Sequence, residues 1–245
     1  MKNKLFTKFL NGISYIKFRL KYQNVLFIRS NILFGKYYSQ DGQDMILSTL
    51  LLNEISDENN LIIDIGANHP VKYSNSLFFE KYFNCKTIAI DPISEFKPLW
   101  DKLRPQAKFI SIGLGSSTGF LDINIPKKGD NMFSSVEGGL MKKYRHEECE
   151  QRKIKVDTLK NILIKEGIKK ILFISIDVEG FEFQVLEGID FDKVEISALV
   201  VENNSTSYFG EDKIRDFIID KGFIYYARLG SFDDVFVNPN LVCGA

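Results

Sequence analysis

An acid just before a tight glycine turn, with a second acid ending the next apolar run, is the part of this sequence best suited to chemistry. Asp64 and Gly66 stand in Leu61-Ile62-Ile63-Asp64-Ile65-Gly66-Ala67-Asn68-His69-Pro70, and Asp91 follows the strand-like run Thr87-Ile88-Ala89-Ile90. A carboxylate there can accept hydrogen bonds from the hydroxyls or ammonium group of a ligand. Gly66 lets a ligand approach the backbone without meeting a Cβ, and Ala67 beside it is also small. An acid at the tip of the second strand can hold ribose hydroxyls. The turn is no dinucleotide fingerprint, because G-x-G-x-x-G would need glycines at Asn68 and Val71, and the sequence has no G-x-x-x-x-G-K-[ST] phosphate loop. The pattern suits a nucleoside without a pyrophosphate, of which S-adenosylmethionine is the commonest. An ordinary βα turn capped by Asn68 is the competing reading.

Two further apolar runs end in polar groups. Residues 171–176 lead into Asp177-Val178-Glu179-Gly180, and residues 198–201 into Glu202-Asn203-Asn204. Parallel strands put their carboxyl ends on one edge, so these tips are expected to meet Asp64, Asn68 and His69. Carboxylates gathered and buried at strand tips are unfavourable unless they bind something.

The elements that must position these tips follow from hydrophobic period. Residues 45–52, 74–83, 94–103, 181–187 and 213–221 read as helices, alternating with strands at 61–65, 87–90, 108–112 and the two runs above. The helix over 74–83 points its N-terminus at the Gly66 turn, so Asn75 and the free amides there suit a ligand carboxylate. The third strand ends at Gly113. Residues 119–125 alternate like a strand or hairpin arm, and 153–159 read as a short strand entering a helix. The glycine- and serine-rich residues 127–139, with Ser135, form the expected substrate loop. The charged residues 142–153 read as a solvated helix, since adjacent His146, Glu147, Glu148 and Cys149 do not converge on one ion. Asp41 or Asp44 fits a helix cap, yet the polar cluster at 37–44, with Gln40, also precedes the first strand and can fold over its ligand. Runs 223–227 and 234–237 look like a closing hairpin. The whole predicts a mostly parallel α/β sheet with right-handed crossovers and a final antiparallel pair.

Composition sets the outer bounds. At 245 residues, 44% hydrophobic and 26% charged, the chain can bury a full core. Three widely spaced cysteines argue against a disulfide framework or zinc site and favour a reducing, cytoplasmic setting. Basic and acidic residues are equal at 32 each, but residues 1–36 hold eight bases and no acid, so residues 37–245 carry eight more acids than bases. The first 36 residues read as a basic amphipathic helical arm packed on the 37–245 domain; a membrane surface or an acidic partner is the alternative. No run is long and apolar enough to span a bilayer. An acidic domain also argues against a nucleic-acid partner.

Tyr38-Ser39-Gln40-x-Gly42-x-Asp44, Asp64-Ile65-Gly66-Ala67-Asn68-His69-Pro70, Ile90-Asp91-Pro92, Val156-x-Thr158-Leu159, Ile176-Asp177-Val178-Glu179-Gly180 and Val201-Glu202 occur in this order. In these pieces the chain resembles the FkbM family of S-adenosylmethionine-dependent methyltransferases. Asp91-Pro92 replaces a common Glu-Pro, and Gln43 stands where the family commonly has Glu, so Gln43 receives no role. The resemblance leaves out residues 1–36. It implies a class I methyltransferase (Rossmann-like) fold, a seven-stranded sheet with one reversed strand. It also implies methylation of a hydroxyl on a sugar, here a nucleotide-linked sugar for a surface polysaccharide, or on a polyketide-type product, leaving S-adenosylhomocysteine. A hydroxyl needs a base during attack; Glu179 is the first choice, with Asp177 and His69 as the other candidates. Glu202, Asn203 and Ser135 are assigned to the acceptor. A rival mechanism puts Mg²⁺ on Asp177, Glu202 and Asn203, and is not favoured. A binding module without catalysis would not need Asp177 and Glu179.

Overall fold

Runs that are apolar on both faces belong in the middle of a sheet, and that requirement sets the architecture. The computed structural model describes residues 35–55, 60–126, 135–136, 149–204 and 212–242. The first half forms α1 (Gln43–Leu50), β1 (Leu61–Ile65), α2 (Leu77–Phe83), β2 (Lys86–Ile90), α3 (Lys97–Leu103), β3 (Lys108–Ile110), β4 (Gly113–Leu114) and β5 (Gly119–Pro126). There follow β6 (Ser135–Val136), β7 (Cys149–Asp157), α4 (Leu159–Glu166), β8 (Lys170–Ile176), α5 (Glu182–Glu187) and β9 (Glu195–Glu202). The chain continues with α6 (Lys213–Asp220), β10 (Ile224–Leu229), β11 (Asp233–Val237) and α7 (Pro239–Val242). Residues 1–34 of the basic arm and most of the expected substrate loop lie outside the described residues; of the loop, only the backbone of β6 is described, pairing with β5.

The main sheet has seven strands in the order β10-β11-β9-β8-β1-β2-β3. All are parallel except β11, which lies antiparallel to both β9 and β10. The expected closing hairpin is therefore present, but its second strand inserts between β9 and β10 instead of adding to the edge. Alternate residues of each strand enter opposite layers. Ile63, Ile65, Ile174, Ile176, Leu199 and Val201 pack with Leu159 and Leu163 of α4 and Val185 and Leu186 of α5. Ile62, Phe173, Ala198 and Val200 pack on the other face with Leu47 of α1 and Phe78 and Phe79 of α2. Burying each of the isoleucine, leucine, valine and phenylalanine side chains among them stabilises by ~1.5–3 kcal/mol. Helices on both faces leave the carboxyl edge of the sheet as the open one.

A second, four-stranded sheet, β4-β7-β5-β6, corrects the sequence reading in two places. Residues 149–153 belong to β7, not to a solvated helix, and residues 142–148 lie outside the described residues. The alternation that buries Ile154 and Val156 extends backwards, and the ladder with β5 runs from Gly119↔Val156 to Pro126↔Cys149. Arg152 meets Glu150 two residues away along β7, and Glu95 from the short helical turn Ser94–Phe96. The third strand also stops at Ile110; Gly113 and Leu114 have changed sheets and pair with Val156 and Asp157.

Candidate active site

The turn after β1 is built around Gly66. Its φ is +76°, and a Cβ there would lie 1.7 Å from the carbonyl oxygen of Asp177. The close approach expected from a ligand is thus made first by the protein: the tips of β1 and β8 touch, with the Asp177 N–H donating to Ile65 O at 3.0 Å. The Gly66 N–H donates to Ile90 O at 2.9 Å, which ties the turn to β2 as well. Asn68, at φ +43°, donates its N–H to Asp91 Oδ2 at 3.0 Å and accepts from Trp100 Nε1 at 2.8 Å. Asp91 Oδ1 accepts from the Ile93 N–H at 2.8 Å. Burial outweighs these two donors and lifts the Asp91 pKa to about 6.

An open cavity of about 680 Å³, its mouth included, lies over this turn. Of the expected cofactor residues, Gly66, Asn68, Asp91 and Gly113 line it, together with Asp177 and Glu179. Its apolar lining comes from Ile93 and Ile112 and from Leu114, Leu121, Ile123, Ile154 and Val156 of the second sheet; Ile93 packs directly on Ile123, Ile154 and Val156. Gly113 serves that wall, since a Cβ on it would meet Ile154 Cδ1 at 2.7 Å. In the sequence this half of the site showed only as two separate strands, at 119–125 and 153–159, with nothing to say that they pair or face the cofactor.

The other expected cofactor residues sit behind the lining. Asp64 is buried on the α2 face of β1 and accepts from Ser76 Oγ at 2.6 Å; burial raises its pKa against that bond and the charge of Arg104. Arg104, itself buried, donates to Ser76, Ser74, Thr87, Glu80 and the carbonyl of Pro70, and stacks on Trp100 at 4.5 Å. This cation holds the segment from Pro70 to Ser76, and nothing in the sequence pattern singled it out. Residues 74–76, which it holds through Ser74 and Ser76, are not helical, and α2 begins only at Leu77. Ala67 packs with Ala89 and Trp100. Asn75 donates to Ser175 Oγ at 2.9 Å, while its Oδ1 is buried without a partner, the kind of acceptor an ammonium group would satisfy. Gln40 is exposed. Its neighbour Gln43 is buried and reaches the strand edge instead, donating to Asp233 Oδ2. Asp44 caps no helix; it accepts from the Tyr38 and Ser39 N–H groups and the Ser39 hydroxyl, holding the segment before α1.

Acids gather at the tips of β8 and β9 and the start of β11. Glu179 has φ +55° and lines the cavity; burial, then the charge of Glu182, raises its pKa to about 7. Asp177 is open to water in the cleft yet surrounded by protein. Burial and then the charges of Glu179, Asp233 and Glu182 push its pKa up. Glu202 and Glu182 are raised too, burial first and, for Glu202, the neighbouring carboxylates second. Asp177, Glu182 and Glu202 each bring a carboxylate oxygen within 4.8 Å of the others. Asn203 stands apart from them: its amide donates to Asp212 and Asp234, in a buried network with Arg215 and Arg228. His69 Nδ1 accepts from the Val71 and Lys72 N–H groups at 3.1 and 3.0 Å, which closes its own turn. Of Ser135 only the backbone is described.

The cavity offers a diol acceptor in Asp91, an apolar lining against which a flat ring can lie, and in Glu179 a carboxylate that can take a proton near neutral pH. Those groups fit S-adenosylmethionine. Among solved structures, the chain is similar to a TehB-like S-adenosylmethionine-dependent methyltransferase from Corynebacterium glutamicum (10% identity, 93% of this chain and 99% of that one, TM-score 0.42). It is also similar to a methyltransferase from Pyrococcus furiosus (15%, 92% and 98%, 0.38) and a precorrin-6y C5,15-methyltransferase from Geobacter metallireducens (11%, 78% and 85%, 0.38). No curated protein matches the chain. The methyltransferase FkbM domain does match, over residues 64–225. Since that match runs from Asp64 through Asp91 and Asp177 to beyond Glu202, the chain belongs to the FkbM methyltransferase family and takes S-adenosylmethionine as its methyl donor.

Proposed function

We propose that this methyltransferase is an O-methyltransferase acting on a hydroxyl of a sugar, a nucleotide-linked sugar for a surface polysaccharide, in the cytoplasm. The observation that carries the oxygen chemistry is Glu179, a carboxylate on the cavity wall with a pKa near 7. A base of that strength is matched to taking a proton from an alcohol at neutral pH. S-adenosylmethionine, when bound, supplies an electrophilic methyl group on a sulfonium. Asp91 would accept from the ribose hydroxyls, the apolar lining around Ile93 and Leu114 would cover the adenine, and Glu179 would take the acceptor proton as the oxygen bonds to the methyl carbon, whose bond to sulfur breaks to leave S-adenosylhomocysteine. Much of the acceleration then comes from holding the reacting atoms in line. The sugar is what the family resemblance suggests. A carboxylate-lined edge also suits a ligand with many hydroxyl donors, provided that its diphosphate lies away from the acids.

The test is release of S-adenosylhomocysteine by the purified protein, given S-adenosylmethionine and a panel of nucleotide sugars and polyketide-type alcohols. A methylated sugar hydroxyl is the expected result. Turnover of the polyketide-type alcohols alone would replace the acceptor class, and cofactor binding without turnover on either set would make the chain a binding module.

One observation favours a second, metal-assisted reading: the convergence of Asp177 and Glu202, with Glu182 in place of the expected Asn203. Hard oxygen ligands of this kind suit Mg²⁺, which would polarise the acceptor hydroxyl. Turnover unchanged in EDTA is expected from a protein base. Loss in EDTA with recovery on adding Mg²⁺ would move Asp177 and Glu202 to ion binding.

A further inference from the structure

Glu179 is a non-glycine residue in the left-handed region, followed by Gly180 at φ +99°. A single residue of this kind is disfavoured by ~1–2 kcal/mol and persists only where its surroundings hold it. The hold is visible on both sides. Glu182, the first residue of α5, is 4% exposed and turns its carboxylate back along the chain. Its Oε1 accepts from the Val178 N–H at 3.1 Å and from the Gly180 N–H at 2.9 Å, the two amides that flank Glu179. On the far side, the Asp177 carbonyl lies against Gly66 and the Asp177 N–H is bonded to Ile65 O. The turn is therefore pinned at its entry by β1 and at its middle by one oxygen atom of Glu182.

We propose that Glu182 is the positioning residue of this active site: it fixes the backbone around Glu179 so that the Glu179 carboxylate faces the cavity. The inference rests on the reading of Glu179 as the base. Two of the amides that Glu182 holds lie before α5, on either side of Glu179, so the bonds act on that turn and not only on the start of the helix. The role also differs from one in charge alone, since a neutral amide oxygen at the same place would accept the same two bonds.

Two variants separate these roles. Glu182→Ala removes the acceptor, and Glu182→Gln keeps it. In Glu182→Ala, hydrogen exchange of the Val178 and Gly180 amides is expected to accelerate, and kcat to fall ~10²-fold, as for a small misplacement of a reacting group. Affinity for S-adenosylhomocysteine is expected to stay near that of the wild type. Glu182→Gln is expected to restore amide protection and most of kcat. Protection unchanged in Glu182→Ala overturns the proposal, as does a Glu182→Gln variant as slow as Glu182→Ala. The exchange measurement needs no acceptor, so its outcome is separate from that of the acceptor panel. If Glu179→Gln remains active, the base reading fails without affecting the exchange result.

Discussion

Asp91 and Glu179 divide the work of the cavity between binding and chemistry, and each assignment has its own test. Asp91 already accepts two backbone amides, so a ribose would use its remaining lone pairs. Removing the carboxylate in Asp91→Ala deletes bonds to a charged acceptor, each worth ~1.5–3 kcal/mol. Calorimetry is expected to show at least ~10-fold weaker binding of S-adenosylhomocysteine; unchanged affinity would remove Asp91 from the cofactor site. Glu179→Gln keeps the shape of the side chain but cannot take a proton. It is expected to lower kcat by ~10²–10⁴-fold while cofactor affinity holds. With the Glu179 pKa raised to about 7, wild-type turnover is expected to rise with pH through that value, because only the ionised form is a base. His69 spends Nδ1 on two backbone amides, so His69→Ala is expected to lower the melting temperature and slow turnover only modestly. A dead His69→Ala beside an active Glu179→Gln would exchange their roles.

At the scale of elements, the site depends on strand tips that touch. β1 and β8 come so close that only glycine fits at position 66, and the same contact carries Asp177 to the edge where Asp91 stands. Gly66→Ala would be strained in φ and would also overlap the Asp177 carbonyl. A loss of more than about 1 kcal/mol of stability is expected, since alanine at a positive φ is already unfavourable by that order before any clash. Urea unfolding, with S-adenosylhomocysteine binding measured alongside, checks it; a variant as stable as the wild type would show that the two tips can separate freely. Arg104 does for the segment from Pro70 to Ser76 what Gly66 does for the strand tips, with one buried cation in place of a close backbone contact.

For the molecule as a whole, clustering acids at one sheet edge has a consequence for stability. Glu179 is raised to about 7 and Asp91 and Asp233 to about 6, all from burial first, and Asp177 moves the same way. Between the ordinary carboxylate pKa and these values the folded protein binds more protons than the unfolded chain, so stability falls as pH rises through the window. Asp234, held below the usual range by Arg228 and Arg215 against its own burial, acts only at lower pH. The melting temperature without ligand is expected to be higher at pH 5.5 than at pH 7.5, and a rise with pH over that range would contradict the shifts. The sequence by itself determined the alternation of strands and helices, the polar tips at 64–69, 91, 177–179 and 202–204, and the family, because a doubly covered parallel strand must be a continuous apolar run and its tip must turn on small or polar residues. Only the tertiary structure decided that residues 149–153 belong to a sheet walling the cavity, that Asn203 faces Asp212 and Asp234, and that Gln43, Arg104 and Glu182 hold the turns. Those roles arise from side chains distant in sequence, or from a carboxylate turned back on its own loop. Neither leaves a period or spacing to read, since which partner a polar side chain finds depends on which strands become neighbours.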